Sequence, residues 1–218
     1  GGPILLRRVT LERGVANPLD SQFAGFLWNV VRLDLGTSTA TNQKVTTMLA
    51  DGIGPTLSLT VPIFFIGLAT ALSLALLCAY LRDTWVDRFF VVLAVGLMSV
   101  NYLVWIVVGQ YLLGFRLGLF PIWGYEGPAY LALPVLIGVV SGLGSNLRFY
   151  RTVMLDEMYR DYVRTARAKG VRGGRLLFVH VLRNAMIPVV TSTAMAVAFL
   201  YTGSLLLESF FGIPGLGY

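Results

Sequence analysis

The chain has a single cysteine, Cys78, and a single histidine, His180, in 218 residues. One cysteine can form neither an internal disulfide nor a cysteine-based metal site. One histidine removes most histidine-centred catalysis and metal chemistry. Charge is scarce too, at 13% of residues, where soluble domains run nearer one quarter. What remains is apolar: 56% of residues are hydrophobic and the mean hydropathy is +0.73. That is the composition of a membrane protein. The net charge of +6 raises the question of nucleic acid. The basic residues are concentrated beside apolar runs, however, so membrane topology and lipid headgroups account for them and no nucleic-acid partner is expected. The chain opens Gly1-Gly2-Pro3 without a methionine, shows no signal peptide, and stops at Tyr218 in a Gly/Pro-rich turn. Both ends read as cuts.

Four charge-free runs follow a mixed segment. Residues 1–51 hold five basic and four acidic side chains. Phe23, Phe26, Leu27, Val30 and Val31 form one helical apolar stripe, with Asp20 or Ser21 as the cap. Such a helix could lie on the membrane or pack on the rest of the chain. Charge is then absent from 52–81, 89–115, 127–147 and 184–207, and about 20 apolar residues suffice to cross a bilayer. Each run is expected to be helical, because lipid offers the backbone no hydrogen-bond partner. The expected fold is all-α, a polytopic transmembrane helix bundle with four spans over residues 52–218. Between the spans, the 82–88 turn and the 148–184 loop together carry eleven Lys+Arg, and the opposite side carries six. Positive residues favour the cytoplasm, so 82–88 and 148–184 should face inward and residues 1–51 outward.

No ionisable residue sits in the middle of any run. Ion-coupled carriers usually keep buried ionisable groups for their proton or cation, so the chain shows no internal energy source. Uncharged polar side chains remain: Asn101 and Gln110 in the second run, Ser141 and Asn146 in the third, and Thr191 to Thr193, Thr202 and Ser204 in the fourth. Asn101, Gln110, Asn146 and Thr191 could line a solute pathway, or such groups could bond across helices as packing. Gly138-x-x-x-Gly142, with Gly144 beyond, permits close helix approach.

The 148–184 loop holds nine of the seventeen Lys+Arg. Met154, Met158, Tyr162 and Ala166 fall four apart on one helical face, with Arg160, Arg164 and Arg167 on the remainder. Gly170 is expected to break that helix and Gly173-Gly174 to break it again, before Leu176, Leu177, Val179 and Leu182 resume the pattern. A helix, glycine turn and helix held at the membrane face could dock in a partner's groove, or could simply be a solvated loop.

A family resemblance decides between these. Asp161-Tyr162-Val163-Arg164-Thr165-Ala166-Arg167-Ala168-Lys169-Gly170, followed by His180-Val181-Leu182-Arg183-Asn184-Ala185 and Pro188, resembles the EAA loop of binding-protein-dependent ABC importer permeases, in the dipeptide/oligopeptide/nickel branch. Leu33-Asp34-Leu35-Gly36-Thr37-Ser38, Pro55-Thr56-Leu57-Ser58-Leu59 and Glu208-Ser209-Phe210-Phe211-Gly212-Ile213-Pro214-Gly215-Leu216-Gly217 are similar to other segments of that branch. Arg164 and Thr165 depart from the general motif, which has Glu and Ala there. The resemblance implies a permease subunit taken from the middle of a six-helix domain. It would pair with a second, homologous permease subunit and receive solute, peptides first, from an extracytoplasmic solute-binding protein. It would have no cofactor and no catalysis of its own, ATP being bound by cytoplasmic partner subunits. Asp161, Tyr162, Arg164, Thr165, Ala166, Arg167, Ala168, Lys169 and Gly170 would couple to those subunits, at the bacterial or archaeal inner membrane. A stand-alone carrier or channel is the rival reading.

Overall fold

The structure is a computed structural model. It describes Trp28, Arg32, and residues 35–38, 42–171, 173–199 and 205–217. The apolar stripe expected between Phe23 and Val31, and the polar residues Thr202 and Ser204, lie outside the described residues. Two compact units divide at Gly52. In the first, the turn begun at Gly36 closes on itself: Ser38 N–H donates to the Gln43 carbonyl and Val45 N–H to that of Gly36.

Among the described residues the elements are helical, and their order follows the apolar runs. Helix α1 covers Val45–Tyr80, α2 Trp85–Ser99 and α3 Tyr102–Gly109, the last continuing as π-helical turns over Gln110–Arg116. Helix α4 is Pro128–Met158 and α5 is Asp161–Ala168. A longer stretch, α6, joins Gly173–Arg175, π-helical Leu176–Val181 and α-helical Leu182–Phe199. Helix α7 is Leu205–Phe211. Helices α1 and α4 and residues 173–197 of α6 are each long and apolar enough to cross a membrane, and α2 with α3 make a fourth crossing if counted as one span. Phe65, Val92, Phe115, Ile187 and Met195 are all more than 60% exposed. Apolar surface on that scale suits lipid and would be a liability in water.

Several boundaries depart from the charge pattern: α1 begins at Val45 and takes in Asp51, and α6 begins at Gly173 and takes in Arg175 and Arg183. The run 89–115 is not one straight helix: α2 and α3 are bent by 93° at Val100–Asn101. Val100 is extended, and the Asn101 side chain accepts from Leu103 N–H at 2.9 Å, capping α3. An asparagine inside an apolar run thus marks a helix start, which hydropathy alone cannot show. The helix of the third charge-free run, α4, does not stop at Leu147 but runs on to Met158, taking Arg148 and Arg151 with it. Finally, the helix expected to persist from Met154 through Lys169 is interrupted at Tyr159–Arg160, with Arg160 extended ahead of α5.

Packing depends on small residues. A Cβ on Gly138 would come within 2.6 Å of Ile63 on α1, and one on Gly144 within 2.6 Å of the Ala94 carbonyl on α2. Gly142 meets only the Asn146 amide, at 3.6 Å. The close approaches are therefore made by Gly138 and Gly144, which let α4 lie against two neighbours at once.

Candidate coupling helix and its surroundings

Helix α5 is short, and its sequence divides cleanly into two faces. Val163 and Ala166, three apart, are buried, at 1% and 7% exposure. They join a core cluster containing Ala79 of α1, Met154 of α4 and Leu176, Leu177, Val181 and Ala185 of α6. An eight-residue helix is marginal in isolation, so this tertiary contact is what holds it. Burying the Val163 side chain contributes about 1.5–3 kcal/mol.

The other face is polar. Asp161, Arg164, Thr165, Arg167, Ala168 and Lys169 are exposed. Asp161 lies in the first turn and Arg167 in the last, the order the helix dipole favours. Arg164 stands 3.7 Å from Asp161 and Arg160 3.8 Å from Glu157. These exposed pairs add little stability. Their cations remain available to a partner.

The end of α5 is fixed by hydrogen bonds. Val171 N–H donates to the Ala166 carbonyl and Gly170 N–H to that of Arg167. This is the Schellman arrangement, with Gly170 at the left-handed position, φ +87°. A Cβ at Gly170 would meet nothing within 4 Å, so glycine is needed for its backbone angle and not for space. Tyr162 is half-buried and donates its hydroxyl to Glu157 at 2.5 Å. Burial, reinforced by that bond, pushes the phenol up to about 12. Behind α5, a cavity of about 370 Å³ is lined by Arg167, Tyr80, Met158, Val171 and Leu176 among others. The π-helical turn Leu176–Val181 runs along it, a local widening often found at working sites.

Sequence reasoning missed the ion pair that braces this end. Arg151 Nε and Nη2 donate to Asp87 Oδ1 and Oδ2, both at 2.7 Å. Asp87 is 3% exposed in the first turn of α2. The pair joins the 82–88 turn to α4 in the two-pronged geometry guanidinium and carboxylate favour. Both residues flank their apolar runs, and nothing in the charge count links them.

The four pathway candidates separate. Asn101 caps α3. Gln110 donates to the Phe210 carbonyl at 2.7 Å, fastening α3 to α7. Thr191 is exposed and donates to the Ile187 carbonyl of its own helix. Of the four, Asn146 alone lines a second cavity of about 370 Å³, with Thr60, Tyr102, Ser141, Tyr150, Ser192 and Thr193 as the other polar wall groups. No charged residue lines it. The structure brings Asn146 together with the α6 hydroxyls and leaves the other three candidates outside.

The family profile of binding-protein-dependent transport system inner membrane components matches residues 67–218. The chain is similar to a putative peptide transport system permease protein of Brucella abortus (strain 2308), at 34% identity over 99% of the chain and 71% of the relative. It is likewise 34% identical to a glutathione transport system permease protein of Pectobacterium atrosepticum, over 98% of the chain and 70% of the relative. The glutathione permease of Salmonella paratyphi A is 33% identical, over 96% and 68%.

Proposed function

Because the chain belongs to the binding-protein-dependent transport system inner membrane component family, as an ABC importer permease of the peptide branch, we propose that α5 is the helix through which cytoplasmic ATP-binding subunits move it. The observation that carries this reading is the division of α5. Val163 and Ala166 seat it on a cluster shared with α1, α4 and α6, while Arg164, Arg167 and Lys169 present an exposed basic face. A force applied to that face is transmitted through close-packed side chains to three membrane helices at once. Energy then enters from outside the bilayer, consistent with apolar runs that carry no charge in their middles.

In this reading the subunit does no ATP chemistry and needs no cofactor, since ATP is held by the partner. It lies in the bacterial inner membrane beside a second permease subunit. An extracytoplasmic solute-binding protein presents the solute at the outer face. Peptides are the proposed solute class, supported by relatives named for peptide and for glutathione transport. The uncharged cavity holding Asn146 is the proposed stretch of the pathway in this subunit. Its amide and hydroxyls can hydrogen-bond a peptide backbone without discriminating between side-chain charges.

Reconstitution of the full-length subunit with and without its ATP-binding partners tests the reading, with a radiolabelled dipeptide and glutathione as probes. Uptake should require the partner and ATP. Uptake that persists without them would establish a stand-alone carrier instead.

A further inference from the structure

The segment 205–217 is wrapped around a buried carboxylate that the coupling mechanism does not use. Glu208 is 0% exposed. Its Oε1 accepts from the Thr56 hydroxyl of α1 at 2.9 Å, and its Oε2 accepts from Gly217 N–H at 2.6 Å. Thr56 Oγ1 in turn accepts from Leu216 N–H at 2.8 Å. Gly215 passes so close that a Cβ there would stand 2.5 Å from both Glu208 Oε2 and Thr56 Oγ1. A Cβ on Gly212 would run into the Trp123 ring, and Gly124 N–H donates to the Phe211 carbonyl. The glycines of Gly212-Ile213-Pro214-Gly215-Leu216-Gly217 are thus what allow backbone to close over the carboxylate.

The position of this knot gives it a purpose. Thr60, one turn beyond Thr56 on α1, and Leu207, next to Glu208, both line the Asn146 cavity. The rest of that cavity's α1 wall, Ile63 to Leu68, runs away from Thr56 toward the far end of the helix. The Thr56–Glu208 contact therefore stands at one end of the cavity, the end that faces outward under the orientation proposed above. We infer that Glu208 and Thr56 form an outer latch, a positioning pair that holds segment 205–217 against α1 while the cavity is closed to the exterior. Outward opening separates α1 from α7 and breaks the hydroxyl–carboxylate bond. A bond between a hydroxyl and a carboxylate suits this role. It is stronger than a neutral one yet lacks the full attraction of an ion pair, so it can be remade each cycle.

The test uses the full-length subunit within its assembled transporter in membranes, with Cys78→Ala removing the native thiol. Ser192→Cys places a reporter on the cavity wall, and Lys169→Cys one on α5. A membrane-impermeant maleimide is applied from outside without ATP. In the latched protein Ser192→Cys should label slowly. Thr56→Val and Glu208→Gln should each speed that labelling about tenfold or more, the shift in an open–closed equilibrium that loss of one charge-assisted hydrogen bond carries. Thr56→Ser, which keeps the hydroxyl, should restore the slow rate. Unchanged labelling in Thr56→Val and Glu208→Gln would overturn the latch, as would equally fast labelling in Thr56→Ser. External labelling of Lys169→Cys would instead overturn the orientation and the coupling role of α5, so the two failures are distinguishable.

Discussion

Among the described residues two carboxylates are buried, at different ends of the helices, and they are held differently. Asp87, in the 82–88 turn, meets the Arg151 guanidinium of α4 through two 2.7 Å bonds. Glu208, in the glycine-rich segment, meets the Thr56 hydroxyl and the Gly217 backbone N–H. An ion pair with two matched contacts is rigid, and a hydroxyl contact is easier to exchange. The difference fits a division of labour. Under the proposed coupling and latch, the end that receives force must transmit it without slack, and the end that opens must let go.

The largest effect should come from breaking the rigid end. Arg151→Ala leaves Asp87 buried without its cation, at a cost of about 2–4 kcal/mol, below the full range for a buried pair because the Arg151 side chain is 24% exposed. Thermal unfolding in detergent should show a fall of several degrees. Replacing the pair together, Asp87→Leu with Arg151→Met, should recover much of it, since apolar substitutes avoid the stranded charge. If the single and double variants lost the same stability, the pair would not be the brace described.

Thr56→Val should cost less, about 1–3 kcal/mol for a buried carboxylate missing one donor, and should leave coupling to ATP hydrolysis measurable. A loss exceeding that of Arg151→Ala would reverse the comparison between the two ends. Gly170→Val forces a branched residue to φ +87° and should strain the α5 turn by about 1–3 kcal/mol. Membrane insertion should be normal while ATP hydrolysis runs without uptake. Normal uptake by this variant would count against a mechanical role for the turn.

Tyr162→Phe is the mildest change, about 0.5–1.5 kcal/mol for one lost hydrogen bond. Its pH signature is specific. The folded phenol, at about 12, lies above the ordinary value near 10. The stability it contributes is fully present below pH 10 and is lost as pH rises through 12. The stability gap between wild type and Tyr162→Phe should therefore be flat from pH 6 to 9 and shrink above 10. A gap that changed between pH 6 and 9 would assign the effect to another group.

Much of this architecture was legible from charge and apolarity. Charge-free runs located the membrane helices because a bilayer penalises every unpaired polar group in the same way. The α5 segment was legible because Gly170 ends it and because its basic face contrasts with its neighbours. Contacts between residues far apart in the chain were not legible. The Asp87–Arg151 pair spans 64 positions and the Thr56–Glu208 pair 152, and no periodicity encodes either. Polar residues inside apolar runs could not be sorted from sequence, because one polar side chain on a helix has the same appearance in sequence whichever way it turns. Asn101, Gln110 and Thr191 satisfy backbone groups, while Asn146 lines the cavity with Ser141, Ser192 and Thr193. The bend between α2 and α3 escaped for a related reason, since a cap within an apolar run leaves the hydropathy unchanged.

The claim that matters most is that α5 is gripped from the cytoplasm and carries the motion. Disulfide crosslinking of Arg164→Cys to a cysteine in the groove of the ATP-binding subunit, in inverted membrane vesicles of the Cys78→Ala protein, tests it directly. Efficient crosslinking that halts uptake, reversed by reductant, is the expected result. Failure to crosslink anywhere along that groove, or continued uptake in the crosslinked complex, would contradict it.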